Sequence, residues 1–215
     1  MRVIATAVVV AAGVIIVSVS APSKGYRGAA ISMSASWNGG AVGPFLGQIN
    51  WGDGGYDPIS TSAKNVSKSH TYAVAGTYTI TVAISDEGTL ASGTGTAPIQ
   101  IAAPLAATLS ASPTGGPIPL PITFTIGISS GYTPYTWTLD YGDATSPGSG
   151  SSPGTSTHTY TKVGQFTATL TATDALGASV VSRSKLSIGM EAVTVQPWII
   201  LAELAVGITL IKLSR

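Results

Sequence analysis

A short phrase occurs twice in this chain, and an internal repeat constrains architecture before any other feature does. The first copy runs Trp51-Gly-Asp53-Gly54, His70-Thr-Tyr72, Gly76-Thr-Tyr78 and Asp86. The second runs Tyr141-Gly-Asp143, His158-Thr-Tyr160, Gly164-Gln-Phe166 and Asp174-Ala-Leu-Gly177. The copies lie about 90 residues apart with nearly equal internal spacing, the length of one small domain. After each glycine comes a segment of period two: Tyr78, Ile80, Val82 and Ile84 in one copy, Phe166, Ala168, Leu170 and Ala172 in the other. Threonines fill the alternate positions, the pattern of an antiparallel strand with one solvated face. Turn-forming stretches at Asn38-Gly-Gly40, Gly115-Gly-Pro117 and Pro147–Gly154 separate such segments, and many short strands at this spacing predict a sandwich.

Composition narrows the classes. Charged residues are 9% of the chain and the formal net charge is +1, so there is no basic footprint for nucleic acid. No cysteine is present, which removes disulfides, thiolate chemistry and cysteine-ligated zinc. A surface rich in hydroxyls and poor in charge suits an extracellular setting.

Two apolar runs flank the repeats. Met1-Arg2 precedes an uncharged stretch from Val3 to Ala21, and residues 1–21 read as either a signal peptide or a retained signal-anchor. The second run, Trp198–Leu213, lies in a segment 197–215 that reads as a transmembrane helix, with Trp198 at one interface and Lys212 and Arg215 at the other. Glu203 sits inside it, where a carboxylate is costly and marks a candidate helix–helix contact. Between the runs, residues 29–102 and 105–189 are expected to be the two modules.

The repeated phrase resembles the hallmark of PKD domains, the Ig-like modules named for polycystic kidney disease. Trp51, Asp53, His70, Tyr72 and Gly76 match in the first copy. Trp137, Asp143, His158, Tyr160, Gly164 and Asp174 match in the second, where Ala144 replaces the usual glycine. The resemblance implies an all-β chain of two tandem Ig-like sandwiches between apolar helices, and a role in protein or glycan contact or as a spacer.

Histidine, aspartate and tyrosine are catalytic residue types, yet their recurrence in both copies fits a scaffold better than a unique active centre. Two histidines about 88 residues apart, one per module, would have to converge to share a site, and no nucleophile elbow, P-loop or zinc-binding histidine pair is present. No enzyme activity and no cofactor are expected. Asp53, Asp57, Asp86 and Glu87 are a candidate calcium set, although turn capping accounts for Asp53 equally well. Asn65-Val-Ser67 is an N-glycosylation sequon.

The function these features suggest is a non-enzymatic, membrane-anchored surface protein for structure or adhesion, with its repeats on the extracellular face. Its expected partners are membrane lipid, other surface or capsid proteins including copies of itself, and glycans. A membrane-anchored vertex or spike protein of a lipid-containing virion shares the same physics. An accessory module of a secreted hydrolase is the third reading.

Overall fold

The computed structural model describes residues 13–40 and 43–189. Among the described residues no helix is long and apolar enough to cross a membrane. They form two compact units. One comprises the chain up to Ala106 with the segments Ser129–Tyr135 and Thr173–Val180. The other comprises Ala107–Ile128, Thr136–Ala172 and the chain from Val181.

The first unit is built on β1 (Ile16–Ser20), β2 (Lys24–Tyr26), β3 (Ala30–Asn38), β4 (Phe45–Asn50), β5 (Tyr56–Thr61), β6 (Asn65–Thr71), β7 (Gly76–Asp86) and β8 (Ser92–Ala102). One sheet has the order β1-β3-β6 and the other β2-β8-β7-β4-β5. Strand β1 runs antiparallel to β3, then the chain crosses so that β2 runs parallel to β8. The core lies between the sheets. Every second residue of β3 is buried (Ile31, Met33, Ala35, Trp37), and they meet Ile49, Trp51, Ile80, Val82, Ile84, Ile99 and Ile101 from the facing sheet. The period-two pattern of the sequence is thus the inside–outside alternation of a half-buried strand.

The other copy contains β9 (Ala106–Ser112), β10 (Gly115–Gly116), β11 (Leu120–Ser129), β12 (Thr136–Asp140), β13 (Gly148–Gly150), β14 (Gly154–Tyr160), β15 (Gly164–Thr173) and β16 (Ser179–Ile188). Its sheets have the orders β14-β11-β9 and β10-β16-β15-β12-β13, strand for strand those of the first. Ile122, Phe124, Ile126, Leu139, Ala168, Leu170 and Ala172 fill its core.

The start of the first module differs from expectation. It begins not at residue 29 but with β1, which takes the end of the apolar run read as a signal peptide or anchor. Ile15 is buried in the core, its amide donates to the Ser92 carbonyl, and β1 pairs with β3 from Ile16↔Asn38 to Ser20↔Ser34. The reason is local chemistry: Ile15, Ile16, Val17 and Val19 are β-branched, and Gly93 and Gly95 on β8 leave room for the β1 backbone. A Cβ at either glycine would collide with the carbonyl oxygen of Ile15 or Val17. Both readings of residues 1–21 conflict with this strand, because cleavage after Ala21 would remove it and a bilayer span would pull it out of the sheet. Residues 1–12, the segment 197–215 and Glu203 lie outside the described residues.

Candidate functional site

The repeated residues converge on one turn in each copy. In the first, Trp51–Gly55 connects β4 to β5. Gly52 and Gly54 have φ of 84° and 97°, the left-handed region that favours glycine, and a Cβ on Gly52 would also strike the Thr79 backbone. Asn50 Oδ1 accepts the Gly52 amide (2.8 Å), and Asp53 Oδ1 accepts the Gly55 amide (3.0 Å). These side-chain caps fold the turn locally.

The other carboxylate oxygen of Asp53 meets His70 Nε2 at 2.7 Å. The imidazole is clamped between rings: it stacks on Trp51 with centroids 4.9 Å apart and meets Tyr72 edge-on at 4.9 Å. The Tyr72 hydroxyl then donates to the Trp51 carbonyl (3.0 Å), and Trp51 Nε1 donates to Asp57 (2.8 Å). Tyr72 in turn stacks on Tyr78, which follows Gly76 on β7. A strand β6 residue therefore closes the β4–β5 turn.

The second copy repeats the geometry. Asp143 meets His158 Nε2 at 2.7 Å, His158 stacks on Tyr141 at 4.0 Å, and the Tyr160 hydroxyl donates to the Tyr141 carbonyl (2.8 Å). Gly164 opens β15 ahead of Phe166, whose ring packs on Tyr160. Ala144 holds φ of 65° where the first copy has a glycine. The structural counterpart of Trp51 is Tyr141. Trp137 sits four residues earlier on β12, paired with Gly150 and donating to the Ser152 carbonyl (2.8 Å).

Each histidine is thus committed to its own aspartate and its own aromatic platform, in separate copies. The calcium set does not assemble. Asp53 lies beyond the Asn50 end of β4 and Asp57 pairs with Ile49 near that end, whereas Asp86 pairs with Phe45 at the opposite end, with Glu87 next to it. Asp57 is also engaged by Trp51. Among the described residues no cluster of three or more His, Asp or Glu could hold a metal. Asn65 is exposed at the start of the edge strand β6, opposite Ser36 on β3.

One cluster was only partly visible in the sequence. Within the first unit, buried Asp174 accepts the Tyr26 hydroxyl (2.5 Å) and the amides of Tyr132 (2.9 Å), Leu176 (3.0 Å) and Ala178 (3.1 Å). Tyr132 donates to the Gln100 carbonyl (2.6 Å) and its ring meets Tyr26 edge-on. Asp174 belongs to the repeated phrase, but nothing in the sequence pairs it with Tyr26, 148 residues away.

Electrostatics follow from these contacts. Burial pushes the Asp53, Asp143 and Asp174 carboxyls up, but hydrogen bonds from His70, from Thr145 and His158, and from Tyr26 and backbone amides outweigh it. All three lie below the ordinary carboxylate value. Burial, with the Asp53 charge nearby, raises the Tyr72 phenol to about 12, and burial raises Tyr26 and Tyr160 further. A carboxylate whose folded pKa is depressed stabilises the fold above its unfolded pKa of about 4, and that stability is lost as pH falls through the folded value. Melting temperature is therefore expected to show no slope from these groups between pH 5 and 7 and to fall steeply below about pH 4. Asp174→Asn should flatten the acid limb of the first unit; an unchanged acid limb would show that this carboxylate is not charged in the fold.

In class, this is an all-β protein of two-sheet sandwiches, each carrying a turn locked by histidine, aspartate and aromatic rings. Residues 106–183 match the family model described as the PKD domain. The chain is similar to the PKD domain of an M14-like peptidase from Thermoplasmatales archaeon SCGC AB-540-F20, at 24% identity, covering 40% of this chain and 92% of that one with a TM-score of 0.36. It is also similar to the fibronectin(III)-like modules of Clostridium thermocellum CbhA (13% identity, 81% and 95% covered, TM-score 0.37). The mouse nectin-like molecule 4 ectodomain, Ig1–Ig3, is similar at 14% identity, with 84% and 66% covered and a TM-score of 0.40. No curated protein matches the chain.

Proposed function

We propose that the chain is a non-enzymatic surface protein, held at a membrane, that presents two PKD-type modules for contact with proteins or glycans. The first unit is read as a second module of the type matched at 106–183 because its strand order and its locked turn are the same. The observation that carries the reading is the duplicated His–Asp pair, engaged in the same packing role in both copies. The chemistry-bearing residues thereby become scaffold, and recognition falls to loops and strand edges. Pro58 on β5 and Lys68 on β6 blunt two of those edges, whereas β1 and β9 carry neither charge nor proline. Their partners would be other surface proteins or further copies of the chain, and Asn65 would carry a glycan on the exposed start of β6.

The anchor in this reading is the segment 197–215, whose apolar run closes with Lys212 and Arg215. Vesicle flotation tests it. The full chain should float with neutral phospholipid vesicles, and a chain lacking residues 197–215 should remain in the soluble fraction. Flotation that survives the truncation would move the anchor to the other apolar end.

A further inference from the structure

Leu90 is held in an unfavourable way twice over. It has φ of 59°, the left-handed region that a branched apolar side chain rarely adopts, and it is 76% exposed. The repeat supplies an internal control. In the β7–β8 connection the Asp86 amide donates to the Ala91 carbonyl and the Leu90 amide to the Asp86 carbonyl. In the β15–β16 connection the Asp174 amide donates to the Ala178 carbonyl and the Gly177 amide to the Asp174 carbonyl. The first connection is one residue longer, yet in both the residue just before the acceptor of the aspartate amide is left-handed: Leu90 in one and Gly177, with φ of 84°, in the other. Glycine takes such a left-handed position without strain, so the backbone here does not need leucine. A side chain kept in a strained position and in water points to a use outside the fold.

Its neighbours share the property. Val14 is 77% exposed and Ile16 is 68% exposed. Val14 bridges to Ser92, two residues past Leu90, a Cβ on Gly13 would touch Ala91, and Ile16 pairs with Asn38 at the end of β3. All three aliphatic side chains therefore crowd one end of the first unit. The charges at this end are Lys64, which donates to the Gly39 and Gly40 carbonyls, exposed Glu87 and buried Asp86. In the sequence this end is preceded by Val3–Ala12, ten uncharged and mostly apolar residues, a composition compatible with a lipid surface.

We propose that the end of the first unit formed by Val14, Ile16 and Leu90 rests in the headgroup–acyl boundary of a lipid bilayer, with Leu90 as its inserted tip. This rests on the membrane reading above. At a bilayer surface the exposed aliphatic side chains of this end cease to be a cost. Lys64 stands where it can meet lipid phosphate.

The chain has no cysteine, so single cysteines can be labelled cleanly in the full chain. A polarity-sensitive dye is placed at Leu90→Cys, and as a control at Val74→Cys, which is 65% exposed before the opposite end of β7. On neutral phospholipid vesicles carrying a bilayer-embedded quencher, the dye at 90 should shift to the blue and lose at least half its emission, while the dye at 74 does neither. Leu90→Gly should raise the melting temperature and reduce quenching of a dye at Ile16→Cys several-fold. If the chain fails to float with vesicles, the anchoring reading and this proposal fall together. Flotation with a dye at 90 that stays in water overturns this proposal alone. A blue shift that needs only higher protein concentration, without lipid, makes the occupant a second copy and also overturns it. A lower melting temperature for Leu90→Gly would give Leu90 a structural role instead.

Discussion

Removing residues 1–21 should unfold the first unit while the second continues to melt normally. The deletion takes out β1, with its pairing to β3 from Ile16↔Asn38 to Ser20↔Ser34. It also removes Ile15, which is 2% exposed, and the partly buried Val17 and Val19. Burying one such aliphatic side chain contributes about 1.5–3 kcal/mol, so three of them, even partly buried, amount to several kcal/mol. That is a large share of the roughly 5–15 kcal/mol by which a domain is stable. The loss also opens a slot above Gly93 and Gly95, which have no side chains to fill it. Thermal unfolding followed by circular dichroism, with limited proteolysis to identify the unit that opens, measures this. Two unchanged transitions in a chain starting at Pro22 would remove β1 from the stable fold.

Trp51→Ala should destabilise the first unit by about 3–5 kcal/mol, the range for removing a large aromatic side chain from a core. Trp51 is 1% exposed and joins four contacts: core packing, the stack on His70, the hydrogen bond to Asp57 and, through its carbonyl, the Tyr72 hydroxyl. The carbonyl bond survives the substitution, but the histidine loses its platform, so Asp53–His70 should weaken with it. Trp137→Ala should cost less. Its ring lies over Gly150 on the short edge strand β13 rather than at the centre of the locked turn. Chemical denaturation of both variants separates the cases, and equal effects would show that the locked turn adds nothing beyond ring burial.

The physical content of the repeat explains how much of the architecture was legible. Alternation along Thr77–Ile84 and Phe166–Thr173 can be satisfied only by strands with one buried face. Two copies of one pattern imply two sandwiches. The pairing of His70 with Asp53 and His158 with Asp143 is a property of β-sheet register, since β6 and β14 present their histidines beside the neighbouring turn. The phrase named the residues, and their recurrence argued for scaffold over catalysis.

Where the reading failed, the missing information was spatial. Asp53, Asp57, Asp86 and Glu87 are near in sequence, but a six-residue strand about 20 Å long separates them into pairs. Val3–Ala21 is uncharged and largely apolar, and composition alone cannot distinguish a membrane span from a buried strand. The one available signal was the repeat itself, because Ala106–Ser112 is a strand about 90 residues beyond Ile16–Ser20.

By itself the amino-acid sequence determined the fold class, the duplication and the residues of the locked turns, because these follow from local periodicity and from turn chemistry within a few residues. Only the tertiary structure decided that β1 belongs to the first sandwich, that Asp174 gathers Tyr26 and Tyr132, and that Leu90 stands strained and exposed beside Val14 and Ile16. Those facts depend on which distant segments the sheets bring side by side. Gly93 and Gly95 make room for a strand some 75 residues earlier, and no local pattern records that the room is needed.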